Sequence, residues 1–175
     1  VASLYEINLV MNHFFEKYPE KLLLLVAFII VVITYGIFSP WLGYYGDDWP
    51  GIYNLITNGL PGMVEYQSFD RPFWGWFDGV EHKLFGSSPL GWTIYADLSH
   101  YACALAIWYL CRQLWTNNRM EAAAVAFLFL TYPGILQEAR GFVFGTIWLQ
   151  LSCLTVSFVL MVRGISFHRK RNILF

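Results

Sequence analysis

Two short motifs between positions 46 and 73 gather three carboxylates and one arginine. The first contains the adjacent acids Asp47 and Asp48, and the second contains Asp70 and Arg71. Because adjacent carboxylates repel each other, Asp47 and Asp48 could share a divalent metal ion such as Mg²⁺ or Mn²⁺, or one of them could take a proton from a hydroxyl group. Arg71 could bind a phosphate group or form an ion pair with Asp70. Alternatively, these acids only keep a surface loop in water.

The composition indicates that the elements around these motifs lie in a membrane. Hydrophobic residues make up 57% of the chain and charged residues 13%, whereas a soluble domain usually carries about 25% charged residues. The net charge of −1 gives no reason to expect nucleic acid as a partner. The three cysteines lie in apolar runs without metal-ligand spacing, so they are expected to be small core residues.

The apolar runs predict an all-α, polytopic membrane protein with four transmembrane helices. Residues 1–20 have the pattern of an amphipathic helix on the membrane surface. A membrane domain at 21–163 follows, with an outer loop at 43–88, and a basic cytoplasmic tail is expected at 164–175. The four spans are predicted at about 22–42, 89–111, 121–136 and 141–163.

The distribution of lysine and arginine predicts the orientation. Basic residues before the first span, between the second and third spans, and after the fourth all fall on one side of the four-span arrangement. The positive-inside rule makes that side cytoplasmic. The sequence therefore predicts an integral protein of the cytoplasmic membrane with both termini in the cytoplasm. The large loop lies outside and has six acidic and two basic residues, a net charge of −4.

The large outer loop shows two helical patterns, at 48–59 and 73–85. Asn58-Gly59 is a stop signal for the first helix. The second pattern puts five apolar residues on one face, so two short surface helices are expected along the membrane. The five residues are Phe73, Trp76, Phe77, Val80 and Leu84.

Two further residue pairs lie inside predicted spans. Asp97 and His100 are three residues apart and share a helix face, where they could form a proton path, contact a ligand, or simply make a polar pair that fixes helix packing. Gly141 and Gly145 form a small-xxx-small pair that could let another helix approach closely.

The order of these features resembles the amino-terminal part of the GT-C superfamily of polytopic membrane glycosyltransferases. The closest likeness is to the bacterial group that includes mannosyltransferase-like and lipid A-modifying enzymes. The likeness covers nearly the whole chain. It rests on Gly-Asp-Asp-Trp at 46–49, Phe-Asp-Arg-Pro at 69–72, Gly-Ser-Ser-Pro-Leu at 86–90 and Tyr-Pro-Gly at 132–134.

The resemblance implies transfer of a sugar from a polyprenyl-phosphate donor to an acceptor outside the cytoplasm. It assigns the base or metal-ligand role to Asp47 or Asp48. Substrate-binding residues would come from the loop and from the second outer segment. They are Asp70, Arg71, Glu138 and Arg140.

Four spans are fewer than such enzymes generally have, and the donor site would then be incomplete. The chain is therefore expected to be an amino-terminal module of a longer protein, or a relative without catalysis. The alternative function is a non-catalytic transmembrane subunit that docks on other subunits through Gly141 and Gly145. A proton-coupled transporter built on Asp97 and His100 is a weaker alternative, because no broken-helix repeat is visible.

Overall fold

The computed structural model describes residues 19–115, 117–132 and 141–173, with side chains described as far as Ser166. The described residues form helices and no strand, so the fold is all-helical. Most of the predicted amphipathic segment at 1–20 lies outside the described residues. The α-helices are α1 (Pro19–Val31), α2 (Asp48–Gln67), α3 (Trp74–Phe85), α4 (Pro89–Leu114), α5 (Arg119–Thr131) and α6 (Gly141–Ile173).

Two helical segments of the described residues are long and apolar enough to cross a membrane. The first is Pro19–Trp41, in which α1 continues through a π-helical turn and a 3₁₀ turn, and the second is Gly141–Ser166. α4 has the length of a span but not the apolar composition. The described part of the third predicted span, α5, has 13 residues and is about 20 Å long, which is less than the roughly 30 Å of a hydrocarbon core.

α4 and α6 run parallel and in close contact. A Cβ atom on Gly141 would lie 2.7 Å from the backbone nitrogen of Thr93, and one on Gly145 would clash with the ring of Tyr95. At the far end, the guanidinium of Arg163 lies 6.0 Å from the ring centre of Tyr109. The glycine face is therefore covered by α4 of the same chain, and the suggested docking of another subunit on this face is wrong.

A second contact region joins α1, α4 and α5. The connection at 115–118 is short, so α5 turns back along α4. At the start of α1, buried Glu20 forms an ion pair of 3.1 Å with Arg112, near the end of α4. The buried apolar residues between these three helices are Leu24, Ala27, Val31, Ala104, Ala126 and Leu130.

The segment between α1 and α4 forms two helices packed against each other. α2 is longer than predicted, because the chain kinks at Gly59 (φ 63°) and then continues in a helix to Gln67. A Cβ atom on Gly75 of α3 would lie 2.7 Å from the Cα atom of Val64, so the two backbones nearly touch. This contact fixes α3 against the part of α2 that follows the kink.

In α3 the polar residues are buried and the apolar residues exposed, the opposite of a surface helix on a soluble protein. Its buried face carries Gly75, Asp78, Gly79 and Glu81. The five apolar residues of the predicted stripe are 53–79% exposed. An exposed apolar stripe over a buried acidic face is typical of a helix that lies against lipid or another apolar surface.

At the carboxyl end, the backbone of α6 remains helical to Ile173. The predicted tail at 164–175 therefore does not begin as a separate segment, because the last helix simply continues into it.

Candidate functional site

The adjacent acids Asp47 and Asp48 lie in different environments. A tight turn precedes them, in which Gly46 has a φ of 50° and the N–H of Asp48 donates to the carbonyl of Tyr45 at 3.0 Å. Asp47 is exposed, whereas Asp48 is completely buried. The turn and the first residues of α2 thus send one carboxylate to the surface and the other into the protein.

Asp48 connects this turn to the beginning of α6. Its Oδ1 accepts a hydrogen bond of 3.1 Å from the backbone N–H of Val143, and its Oδ2 accepts one of 3.4 Å from the N–H of Tyr45. Val143 lies in the first turn of α6, where N–H groups lack partners within the helix and the helix dipole favours an anion. Burial and the charge of Asp48 together raise the pKa of Tyr44 to about 12. Asp48 therefore acts as a tertiary cap for α6.

Asp47 lines a cavity of about 430 Å³ together with the second motif. The turn before α2, the end of α2 and the first turn of α6 meet here, so Asp47, Asp70 and Arg71 line the same cavity. The full lining is Asp47, Gly51, Tyr66, Gln67, Phe69, Asp70, Arg71, Phe142 and Val143.

Arg71 is held at the rim of this cavity by two weak contacts. Its Nε lies 3.5 Å from Oδ2 of Asp70, and its Cζ lies 4.3 Å from the ring centre of Trp74. Both members of the ion pair are about half exposed, so the pair contributes about 0–1 kcal/mol to folding. An arginine in this position can exchange its carboxylate partner for a phosphate group at little cost.

A buried polar cluster behind the cavity was missed by the sequence analysis. Glu81 of α3 accepts hydrogen bonds from the hydroxyl of Tyr95 and, at 3.0 Å, from that of Thr146. Asp78 of α3 accepts a hydrogen bond of 3.3 Å from Nε2 of Gln67. Asp78 and Glu81 are three residues apart and lie opposite the apolar stripe, and this pattern could have revealed the pair from the sequence.

Burial changes the acidity of both carboxyl groups of the cluster. Removal from water is the main cause that raises the pKa of Asp78 to about 7, and the neighbouring Glu81 adds to it. Gln67 and Arg71 act in the opposite direction. Burial also raises the pKa of Glu81, against the hydrogen bonds from Tyr95 and Thr146.

The pair Asp97 and His100 lies away from the cavity. His100 is fully buried, with its ring stacked on Trp148 at 4.5 Å between centroids and edge-on to Phe129 at 5.1 Å. Neither residue of the pair lines the cavity. Stacked aromatic partners fit a role in helix packing, one of the alternatives that the sequence left open.

Two aspects of the predicted site stay predictions, namely the residue pair at 138 and 140 and metal binding by the acidic pair. Glu138 and Arg140 lie outside the described residues. Among the described residues, no group of three His, Cys, Asp or Glu side chains could hold a metal ion. Both oxygens of Asp48 accept backbone N–H groups, so the described pair does not form a ready metal site. Metal binding by Asp47 and Asp48 stays a prediction.

Comparison with known proteins finds one distant relative. Over 151 residues the chain is 25% identical to undecaprenyl phosphate-alpha-4-amino-4-deoxy-L-arabinose arabinosyl transferase 1 of Pseudomonas fluorescens (strain Pf0-1). The match covers 81% of this chain and 26% of the relative, so the chain spans about a quarter of the relative's length. No family model and no solved structure matches the chain. The match supports a relationship to GT-C-like glycosyltransferases.

Proposed function

We propose that this chain is the amino-terminal module of a GT-C-like glycosyltransferase that uses a polyprenyl-phosphate sugar as its donor. The observation that carries the proposal is the cavity that Asp47, Asp70 and Arg71 line beside the first turn of α6. A carboxylate, a cation and a helix amino terminus at one cavity match the needs of a sugar linked to phosphate. The distant relative, whose name specifies such a donor, supports the same chemistry.

In this proposal Asp47 is the general base. It is the exposed member of the acidic pair and lines the cavity. Asp47 takes the proton from an acceptor hydroxyl, whose oxygen then forms a bond to the anomeric carbon of the sugar while the bond from that carbon to the phosphate oxygen breaks. The polyprenyl phosphate leaves with the electron pair. Arg71 stabilises its charge, and Asp70 holds Arg71 in the absence of ligand.

Asp48 has a supporting role in this proposal. Because its two oxygens accept backbone N–H groups from Val143 and Tyr45, it fixes α6 against the turn that carries Asp47. This arrangement argues for one catalytic carboxylate in the motif rather than two. Participation of Mg²⁺ or Mn²⁺ remains open to a chelation test, and no step of the proposed mechanism depends on it.

The proposal also includes the four-span arrangement, with both termini in the cytoplasm and the cavity outside. Glu20, Arg112 and Arg163 lie at one end of the bundle, and the cavity lies at the other. This separation supports the orientation predicted from the basic residues.

The test is sugar transfer by the whole gene product in membranes, because the chain spans only 26% of its relative. Asp47→Asn keeps the size of the side chain but removes the base, so transfer should fall by about 10²–10⁴. Glu65→Gln is the matched control, since Glu65 is an exposed acid of the same loop that does not line this cavity.

Undiminished transfer by Asp47→Asn would remove the catalytic assignment. A wild-type product that never transfers sugar but co-purifies stoichiometrically with other membrane proteins would favour the alternative, a non-catalytic subunit. Since its glycine face is already covered by α4, such a subunit would have to dock elsewhere.

A further inference from the structure

A groove between α1 and α4 lies towards the other end of the bundle from the cavity that contains Asp47. Its volume is about 300 Å³. Among the described residues, its walls combine one lysine with apolar and aromatic side chains. They are Lys21, Leu24 and Leu25 of α1, and Tyr101, Leu105 and Trp108 of α4. These residues define the α1–α4 groove.

The α1–α4 groove is charged at one end and apolar along the rest. Lys21 is exposed and follows Glu20, whose ion pair with Arg112 fixes the start of α1 against the end of α4. At the same end, the guanidinium of Arg112 lies 5.7 Å from the ring centre of Trp108. From Trp108 back to Tyr101, α4 extends over about 10 Å. The groove therefore leads from a charged rim towards the middle of the bundle.

The apolar part of the groove is closed below and open at the side. Leu24 is 5% exposed, and its carbonyl accepts a hydrogen bond of 3.5 Å from the hydroxyl of Tyr101. Leu25, in contrast, is 52% exposed. Because α1 begins a segment that is long and apolar enough to cross a membrane, a groove that is open here faces hydrocarbon, with Lys21 near the level of the headgroups.

The charged end of the bundle has an excess of positive charge. Among the residues whose side chains the structure describes, this end carries four basic and two acidic residues. They are Lys21, Arg112, Arg119 and Arg163 against Glu20 and Glu121. Since Arg112 is paired with Glu20, and Lys21 lines the groove itself, an anionic headgroup at the rim complements this charge better than a zwitterionic one.

We propose that the α1–α4 groove binds an anionic glycerophospholipid, with one acyl chain between α1 and α4 and the headgroup phosphate at Lys21. Basic pockets between transmembrane helices bind anionic headgroups through the same charge complementarity. The site is separate from the cavity assigned to sugar transfer, so the inference does not depend on the proposed catalytic roles. It requires only that Pro19–Trp41 lies in a membrane.

The test is photocrosslinking of the whole gene product in phosphatidylcholine nanodiscs. The probes are phosphatidylglycerol and phosphatidylcholine, each with a diazirine on one acyl chain, and peptide mass spectrometry locates the label. We expect phosphatidylglycerol to label residues 101–108 more strongly than phosphatidylcholine does. Lys21→Gln should reduce this preference about fivefold, the usual contribution of one basic residue near a membrane surface. Arg163→Gln, an exposed charge of the same end outside the groove, should leave most of the preference.

A second variant fills the groove without changing its charge. Leu25→Trp adds bulk to a half-exposed wall and should remove most of the label from residues 101–108. Ile33→Trp is the matched control, because Ile33 is 55% exposed on the same segment but does not line the groove. This control should be labelled like wild type.

Three results would overturn the inference. Equal labelling of residues 101–108 by both probes, or a full preference in Lys21→Gln, would show an ordinary contact with bulk lipid. An absence of label at these residues would show that something else covers the groove. Displacement of the probe by undecaprenyl phosphate at lower concentration than by unlabelled phosphatidylglycerol would assign the groove to the lipid carrier instead.

Discussion

The carboxylate of Asp48 accepts a hydrogen bond from the backbone N–H of Val143, although 95 residues separate them in the sequence. This bond joins the turn before α2 to the first turn of α6. Residue types alone do not distinguish Asp47 from Asp48, whereas this bond gives the two carboxylates different roles. One carboxylate caps a helix, and its neighbour is exposed at a cavity.

Removal of the Asp48 side chain should destabilise the protein. Asp48→Ala leaves the part-buried N–H of Val143 without its acceptor, which costs about 1–3 kcal/mol. Asp48→Asn should cost less, because an amide oxygen can still accept that bond. Asp47→Asn is the control and should unfold like wild type. Denaturant unfolding of detergent-solubilised protein measures these differences, and equal stability of Asp48→Ala and wild type would contradict the capping role.

Gly141→Ala should loosen the contact between α4 and α6. A Cβ atom there would lie 2.7 Å from the backbone of Thr93, and such overpacking costs about 1–3 kcal/mol. Gly164→Ala in the same helix is a matched control, because no atom lies within 4 Å of the added Cβ and alanine is the better helix former by about 1 kcal/mol. Thermal unfolding should therefore move in opposite directions for the two variants.

Stability should depend on pH through Asp78. Its pKa is about 7 in the folded protein, against an ordinary value of 3.8, so the folded state holds a proton that the unfolded chain releases. The contribution of Asp78 to stability is then fully present below about pH 4 and is lost as the pH rises to about 7, by a few kcal/mol at most. Asp78→Asn should flatten part of this decline, and Asp70→Asn should not. If the stability of Asp78→Asn falls with pH as much as that of wild type, the decline arises from other groups.

The proposed orientation predicts which residues an impermeant thiol reagent reaches in intact cells. Single cysteines at Ser68 and Asn117, both exposed, can be placed in a background without the native cysteines. Ser68 belongs to the outer loop and should be labelled, whereas Asn117 lies between α4 and α5 and should react only after permeabilisation. Labelling of Asn117 alone in intact cells would invert the arrangement.

The apolar stripe of α3 should lie in lipid. Val80 is 57% exposed on this stripe, while Ser87 is an exposed polar residue just after the helix. A fluorescent label on Val80→Cys should be quenched by brominated lipids, and one on Ser87→Cys by aqueous iodide. Quenching of the Val80 label by iodide alone would show that the stripe faces water.

The sequence by itself indicated a membrane environment, the helical class and the faces of single helices. A charged fraction of 13% indicated a membrane protein, and the spacing of Phe73, Trp76, Phe77, Val80 and Leu84 predicted the exposed face of α3. These properties depend on composition or on the period of one helix, which are local. The sequence also selected Asp47, Asp70 and Arg71, because charged residues are rare in so apolar a chain.

Only the tertiary structure decided how those residues are used. The spacing of apolar residues along a helix shows which residues share a face, but it does not show which element covers that face. The structure places α4 against Gly141 and Gly145, the first turn of α6 against Asp48, and Gln67 against Asp78. The contact that separates Asp48 from Asp47 comes from an element distant in the sequence, and the hydrogen-bond partner of Asp78 lies on another helix. No local pattern contains that information.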